Sequence, residues 1–240
     1  DAYTDLSIFP NVILYNLYKN RLSVIPDIPK FNLKKLAVEK IIYQIESHNV
    51  ESMTGNKYFF NEILKSISGR KIKNIKAIGI GGSPIDNHLL GNLINIFPNA
   101  EINVIYGSTE AEPISIKNIK PTEIKPASMG YCVGEVHEDI QINFIDTANV
   151  KWLDQELYIG EICIKGNHVK SSDAVFLATG DWGYLHKNEL YLTARKGNIE
   201  FYNGYQHLCI EHVLNLNFKS EFAVIIKKDI LLVYTESKIS

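Results

Sequence analysis

The side chains able to do chemistry lie in a few short clusters. Gly81-Gly82-Ser83-Pro84 closes an apolar run that starts at Ile75. Glycines there let a flat ring approach the backbone, because no Cβ intervenes. Tyr106-Gly107-Ser108-Thr109-Glu110 puts an aromatic face, a glycine, two hydroxyls and a carboxylate on one loop. Those groups suit a purine ring, phosphate oxygens and a Mg2+ ion respectively. Thr179-Gly180-Asp181 reads as a tight turn whose carboxylate can accept both hydroxyls of a ribose. Arg195 follows a strand-like stretch, Glu189 to Thr193, in a chain with 22 lysines and only three arginines. Each cluster has a plain alternative. The glycines and proline make an ordinary turn, Tyr106–Glu110 a strand end with a polar loop, Asp181 the cap of its own turn, and Arg195 a solvated side chain.

The elements that must position these residues are visible in the apolar pattern. The run Ile75–Gly81 reads as a buried parallel strand. Ile85, Leu89, Leu90, Leu93, Ile94 and Phe97 follow helical spacing, and Ile102–Tyr106 is a second short strand. In such a strand–helix–strand unit ligands bind beyond the carboxyl ends of the strands. Upstream, helices are expected over Val12–Tyr18, Leu33–His48 and Tyr58–Ile67, with strand-like residues at Leu22–Ile25 and a short strand or loop at Asn49–Gly55. Alternation of this kind implies an α/β layer with parallel strands. Past Glu112 the pattern changes. Pro113, Pro121 and Pro126 mark loops, Ile140–Ile145 alternates with period two, and Leu157–Ile164 and Glu189–Thr193 read as strands. This portion is expected to be β-rich and barrel-like. Beyond Arg195 come a strand candidate at Ile199–Tyr202, a helix near His207–Leu216, and a hairpin of Phe222–Ile226 with Ile230–Thr235.

The 240 residues, 45% hydrophobic, suffice for one large domain or two smaller ones. The formal charge of -2 and the lack of a basic stripe argue against nucleic-acid binding by a charged face. Cys132, Cys163 and Cys209 lie far apart without CxxC spacing, which implies reduced thiols in a cytoplasmic protein. No apolar run reaches a membrane-spanning length, and no signal peptide is visible. The first residue is Asp1, so the chain is expected to be a piece of a longer product.

In order, Gly82-Ser83-Pro84, Tyr106-Gly107-Ser108-Thr109-Glu110, Gly160-Glu161-Ile162, Thr179-Gly180-Asp181 and Arg195-Lys196 resemble the motifs of the C-terminal half of the adenylate-forming superfamily. That superfamily holds the acyl-CoA synthetases, luciferases and peptide-synthetase adenylation domains. The phrases Phe9-Pro10, Val24-Ile25-Pro26-Asp27, Thr109 to Ser115 and Cys209-Ile210-Glu211-His212 are most similar to fatty-acid ligases and to the β-lactone synthetases of olefin biosynthesis.

The resemblance implies a fold, α/β, and a division. Residues 1–194 would be the C-terminal part of the large AMP-binding domain. Residues 195–240 would begin the small α+β domain, with a hinge at Lys196 and Gly197. It implies that Gly82, Ser83 and Pro84 line an adenine pocket, with Tyr106 stacked on the ring and Gly107 and Ser108 beside it. Thr109 would bond the α-phosphate, Glu110 would hold Mg2+, and Asp181 would take the ribose with Arg195 beside it. The implied partners are ATP or AMP and a small carboxylate, a fatty or hydroxy-fatty acid, with CoA a candidate acyl acceptor. The reaction would make acyl-AMP and pyrophosphate, with Thr109 and Glu110 as the catalytic pair. Some positions depart from the pattern. The family's phosphate loop would lie upstream of Asp1 and its C-terminal lysine beyond Ser240, so the chain alone is expected to be inactive. Ala194 stands for a usual glycine, Gly197 for an acidic hinge residue, and Phe201 where a cation is common. The alternative is a degenerate, non-catalytic homologue whose adenine-nucleotide pocket is vestigial or regulatory.

Overall fold

The computed structural model describes residues 3–67, 69–108, 111–119, 129–152, 155–169, 175–218 and 220–235. The fold is α/β, in two compact units. The first comprises Asp1–Ile85, Leu89–Val104 and Asn118–Glu123, and the second Asp86–His88, Ile105–Lys117 and Ile124–Ser240.

The first unit carries β1 (Asp5–Ser7), α1 (Pro10–Tyr18), β2 (Ser23–Val24), α2 (Val38–Ser47), β3 (Ser52–Asn56), α3 (Lys57–Ile67), β4 (Ala77–Gly81), α4 (Asn87–Ile96) and the start of β5 (Glu101–Ser108). Its strands follow the order β2-β1-β3-β4-β5, and β1 pairs in parallel with both β2 and β3, as β3 does with β4. Three helices were legible because each turns one apolar stripe inward. They bury Val38, Ile41 and Ile45 from α2, Phe59, Phe60, Ile63 and Ile67 from α3, and Leu89, Leu90, Leu93 and Ile96 from α4.

One expectation fails in this unit for a local reason. The helix expected from Leu33 starts at Val38. The Asn32 side chain accepts a bond from the Lys34 N–H and sets a single 3-10 turn, after which Leu36 and Ala37 are extended. Helix α1 forms over the apolar run as expected, but what it buries is polar. Its buried residue is Asn16, while Leu14, Leu17 and Tyr18 are exposed. Asn16 Nδ2 donates to Asp5 Oδ2 at 3.0 Å and to Ser23 Oγ at 3.0 Å, tying the helix to β1 and β2. Buried Asp5 makes this bond matter, because an unpaired buried carboxylate carries its full desolvation cost. Asn16→Leu is expected to destabilise the protein by about 1–3 kcal/mol, even though it adds apolar surface. Chemical denaturation checks this. A variant as stable as the parent would show that α1 is held by something else.

The second unit is antiparallel. From β6 (Ala111–Ile119) the order runs through β7 (Tyr131–Val136), β11 (Glu189–Arg195), β10 (Leu177–His186), β9 (Gln155–Gly166) and β8 (Ile140–Trp152). Helix α5 (His207–Asn217) and the hairpin β12 (Phe222–Lys227) with β13 (Ile230–Thr235) complete it. Pro113 lies inside β6 and not in a loop; it precedes the residues paired with β7, so the missing N–H breaks no bond of that pairing. Pro121 and Pro126 lie outside the described residues. The strand expected at Ile199–Tyr202 is not formed. Asn198 captures that stretch: its Nδ2 donates to the Val224 carbonyl, its Oδ1 accepts from the Ile226 N–H, and its own carbonyl binds His207 Nδ1. Of that stretch only Tyr202 makes a bridge, across a turn to Tyr205. All three cysteines are unbridged, and burial pushes the Cys209 thiol up to about 12, so it is inert.

Candidate functional site

Asp181 sits within β10, not in the tight turn that Thr-Gly-Asp suggested, and it pairs directly across from Arg195 of β11. The turn-like residues still leave their mark. Gly180 has φ +78, and the pairing of β10 with β9 shifts register between Ala178 and Trp182. This irregularity is a β-bulge, a device that re-aims a side chain. Thr179 fixes it: its hydroxyl donates to the Ile162 carbonyl at 2.9 Å and accepts from the Asp181 N–H at 3.1 Å. The Lys196 N–H closes the other side on the Gly180 carbonyl at 2.7 Å.

At the end of β5 the Tyr106 hydroxyl donates to Asp181 Oδ2 at 2.9 Å, joining residues 75 positions apart. Tyr106 is 8% exposed. Arg195 Nε lies 3.6 Å from Asp181 Oδ1, longer than a charge-assisted hydrogen bond, and the Arg195 side chain is 74% exposed. One carboxylate oxygen is therefore taken by a phenol, and the other faces a cation that leaves room for a further donor. Burial raises the pKa of Asp181, against the pull of the Tyr106 bond and of Arg195, with Glu161 adding to the rise. Burial, followed by the charge of Asp181, holds Tyr106 well above its ordinary value, so it stays a donor.

Gly107 is used by the chain itself. A Cβ there would lie 2.9 Å from Glu112 Cγ and 3.0 Å from the Ala111 carbonyl, so the glycine lets the end of β5 approach β6. Beside it, Ser108 Oγ is buried and has no hydrogen-bond partner among the described residues. A buried hydroxyl left in that state fits a donor awaiting an acceptor such as a phosphate oxygen. Thr109 and Glu110, and with them the phosphate and Mg2+ assignments, lie outside the described residues. In the first unit, Gly82 follows β4 with φ +82, a conformation that favours glycine, and both Gly82 and Ser83 are exposed ahead of half-buried Pro84.

Comparison with known proteins decides the family. The family model described as AMP-binding enzyme matches residues 24–172, more than half of the chain. The chain belongs to the AMP-binding enzyme family. Among curated members it is 29% identical over 153 residues to 4-coumarate–CoA ligase 1 of Glycine max, covering 56% of this chain and 50% of that one. It is 25% identical over 203 residues to 4-coumarate–CoA ligase-like 9 of Arabidopsis thaliana, covering 77% and 35%. The chain thus spans half or less of the length of these relatives. Among solved structures, O-succinylbenzoate coenzyme A synthetase of Bacillus subtilis in complex with AMP superposes with a TM-score of 0.71 at 18% identity, over 99% of this chain and 52% of that one. The same enzyme with ATP and magnesium gives 0.70 at 17% identity, over 99% and 53%. These likenesses show the fold of the AMP-binding enzymes.

Of the motif residues, the structure brings Tyr106, Asp181 and Arg195 together in the second unit. Lys196 and Gly197 form an exposed turn after β11, with Gly197 at φ +96 and the Asn198 N–H on the Arg195 carbonyl at 2.9 Å. Sequence reasoning gave no role to Thr179, which holds the bulge, or to Glu161, whose charge bears on Asp181. Both stood in quoted motifs, but their function depends on pairing between strands.

The raised Asp181 has a pH signature. It protonates at a higher pH than an exposed aspartate, and the acid form loses acceptor capacity. With Asp181 as the ribose acceptor that the sequence resemblance implies, affinity for adenosine, which carries no phosphate to titrate, is expected to fall on acidification from above the ordinary aspartate range. The stability contribution runs oppositely. A folded pKa above the unfolded value favours folding below the unfolded pKa, and that contribution is lost as pH rises through the raised one. Asp181→Asn should flatten the adenosine profile. An equally steep profile in parent and variant would assign the titration elsewhere.

Proposed function

We propose that this chain is part of an AMP-forming acid ligase and that Tyr106, Asp181 and Arg195 hold the nucleoside of its adenylate. The observation that carries this reading is the fixed carboxylate of Asp181, clamped by Tyr106 and set by the Thr179 bulge, in a chain matched by the AMP-binding family. In the proposed reaction a substrate carboxylate oxygen attacks the α-phosphorus of ATP. An O–P bond forms to give acyl-AMP, and pyrophosphate leaves. The acyl group then passes to an acceptor thiol, with CoA the acceptor suggested by relatives named as CoA ligases. Asp181 accepts the ribose hydroxyls, Tyr106 offers its ring to adenine, and Ser108 with Thr109 donates to phosphate oxygens. Mg2+, when bound through Glu110, neutralises phosphate charge.

The substrate is a small organic carboxylate. The fatty or hydroxy-fatty acid that the sequence phrases suggested competes here with 4-coumarate, for which the curated relatives are named. We place the start of the small domain at residue 195, with rotation at Lys196 and Gly197. Such a rotation would exchange the bonds that tie the later segment to the strands, Thr193 Oγ1 to Gln206 Oε1 and Asn215 Nδ2 to the Tyr131 hydroxyl. The second reading, a non-catalytic nucleotide-binding homologue, is favoured by Phe201. That side chain packs against the buried cluster around Trp182 and Tyr184 and supplies no charge. Pyrophosphate release by the full-length protein with a panel of fatty, hydroxy-fatty and aromatic carboxylates separates the two. Release dependent on one carboxylate class is expected; AMP binding with no release for any would favour the second reading.

A further inference from the structure

Three potential metal ligands converge apart from the nucleotide cluster. His137 and Asp139 belong to the turn between β7 and β8, and His168 to the turn that follows β9. Strands β8 and β9 pair with Ile140 opposite Gly166, which brings both turns to one end of the hairpin. Gly166 lets them close, since a Cβ there would lie 2.2 Å from the Asp139 carbonyl oxygen. One ligand atom each from His137, Asp139 and His168 lies within 4.8 Å of the other two. His137 Nδ1 stands 3.8 Å from Asp139 Oδ2, and the two imidazoles meet edge to face at 5.3 Å. Both histidines are half-buried and Asp139 is exposed, so an ion can enter from solvent.

The chemistry of this set is specific. Metal–nitrogen and metal–oxygen bonds of about 2.0–2.2 Å in a tetrahedral site place ligand atoms roughly 3.3–3.6 Å apart. The observed separations need only small side-chain rotations to reach that. His168 Nε2 lies 2.9 Å from the Pro113 carbonyl oxygen. A carbonyl only accepts, so Nε2 carries the hydrogen and the Nδ1 lone pair is left for a ligand. Ligating histidines are oriented by outer hydrogen bonds of this kind. His137 Nδ1 accepts a 3.2 Å bond from the Asp139 N–H, so its lone pair faces the turn, and an ion bound there takes the place of that exposed bond. Two imidazoles with one carboxylate suit zinc-class ions, whereas Mg2+ and Ca2+ prefer oxygen ligands throughout. We propose that His137, Asp139 and His168 bind a divalent transition-metal ion of the zinc class, with water in the fourth position.

The test is metal titration of the intact protein after chelator treatment. Co2+ would be followed by its visible absorption and Zn2+ by calorimetry. The comparison proteins are the His137→Gln/His168→Gln double variant and Asp139→Asn. Gln at 168 can still donate to the Pro113 carbonyl and so preserves the turn. The parent is expected to bind one Co2+ with tetrahedral absorption bands, displaced by stoichiometric Zn2+ and untouched by excess Mg2+. Zn2+ affinity should fall roughly a hundredfold in the double variant, while its unfolding temperature without metal stays at the parental value. Failure of the parent to bind, equal Zn2+ affinity in parent and double variant, or displacement of Co2+ by Mg2+ would each overturn the proposal. Loss of fold in the double variant would transfer the decision to Asp139→Asn, where unchanged Zn2+ affinity would likewise overturn it.

Discussion

Asp181→Ala is expected to weaken AMP binding by the full-length protein roughly tenfold to a hundredfold, with little change in the unfolding temperature of the free protein. Its Oδ2 is occupied by the Tyr106 hydroxyl, which fixes the carboxylate plane, and its Oδ1 faces Arg195 at a distance that leaves space for another donor. A hydroxyl bonded to such a carboxylate contributes about 1.5–3 kcal/mol, because the acceptor is charged and already oriented. The variant loses that acceptor and also releases Tyr106, whose buried hydroxyl then lacks its partner. Stability is buffered because the raised pKa shows the carboxylate to be disfavoured where it sits. Removing it relieves that cost and offsets the lost Tyr106 bond. Binding should therefore respond more strongly than stability. Calorimetric titration with AMP and with pyrophosphate checks this, and pyrophosphate affinity should hardly move. Equal AMP affinity in variant and parent would remove Asp181 from the site.

The residues explain which features could be seen in advance. Helices α2, α3 and α4 were legible because Ile41 with Ile45, Phe60 with Ile63, and Leu89 with Leu93 repeat at the spacing of one helical face. The orientation of α1 was hidden, because burial there follows two hydrogen bonds of Asn16 to residues on other elements. The same limit applies to Ile199–Tyr202, where Asn198 binds a strand that comes later in the chain. Within the site, the types at positions 106, 108, 181 and 195 pointed to a nucleotide, but the Tyr106–Asp181 bond could not be read from spacing. Gly107 and the Thr-Gly-Asp run were open to two readings. In the structure Gly107 lets two strands approach and the Thr-Gly-Asp run lies at an irregularity inside a strand, neither of which the residue types reveal. The His137, Asp139 and His168 cluster left no motif, since two separate turns assemble it.

Gly183→Ala is expected to be strongly damaging to the strands that carry Asp181 and Arg195. Gly183 follows the bulge that aims Asp181, and the pairing of β10 with β11 itself shifts between Trp182 and Gly183. A Cβ at this position would stand 2.0 Å from the Tyr191 carbonyl oxygen and 3.1 Å from its carbon, with Ile162 Cδ1 at 3.2 Å. The obstacle is backbone, so no rotamer change relieves it, and β10 and β11 must separate or slip. Overpacking of this kind costs about 3 kcal/mol, which for a chain of this size lowers the unfolding temperature by roughly 6–12 °C. The functional loss should follow the same displacement, because Asp181 and Arg195 face each other across these two strands. AMP affinity should fall even at temperatures where the variant remains folded. Gly197→Ala supplies the contrast. Nothing lies within 4 Å of a Cβ there, and only its φ of +96 opposes the substitution, a cost of about 1–2 kcal/mol. Thermal unfolding and AMP titration of the two variants side by side make the comparison. Should Gly183→Ala melt with the parent, or no lower than Gly197→Ala, the close approach of β10 to β11 would not be what sets the carboxylate in place.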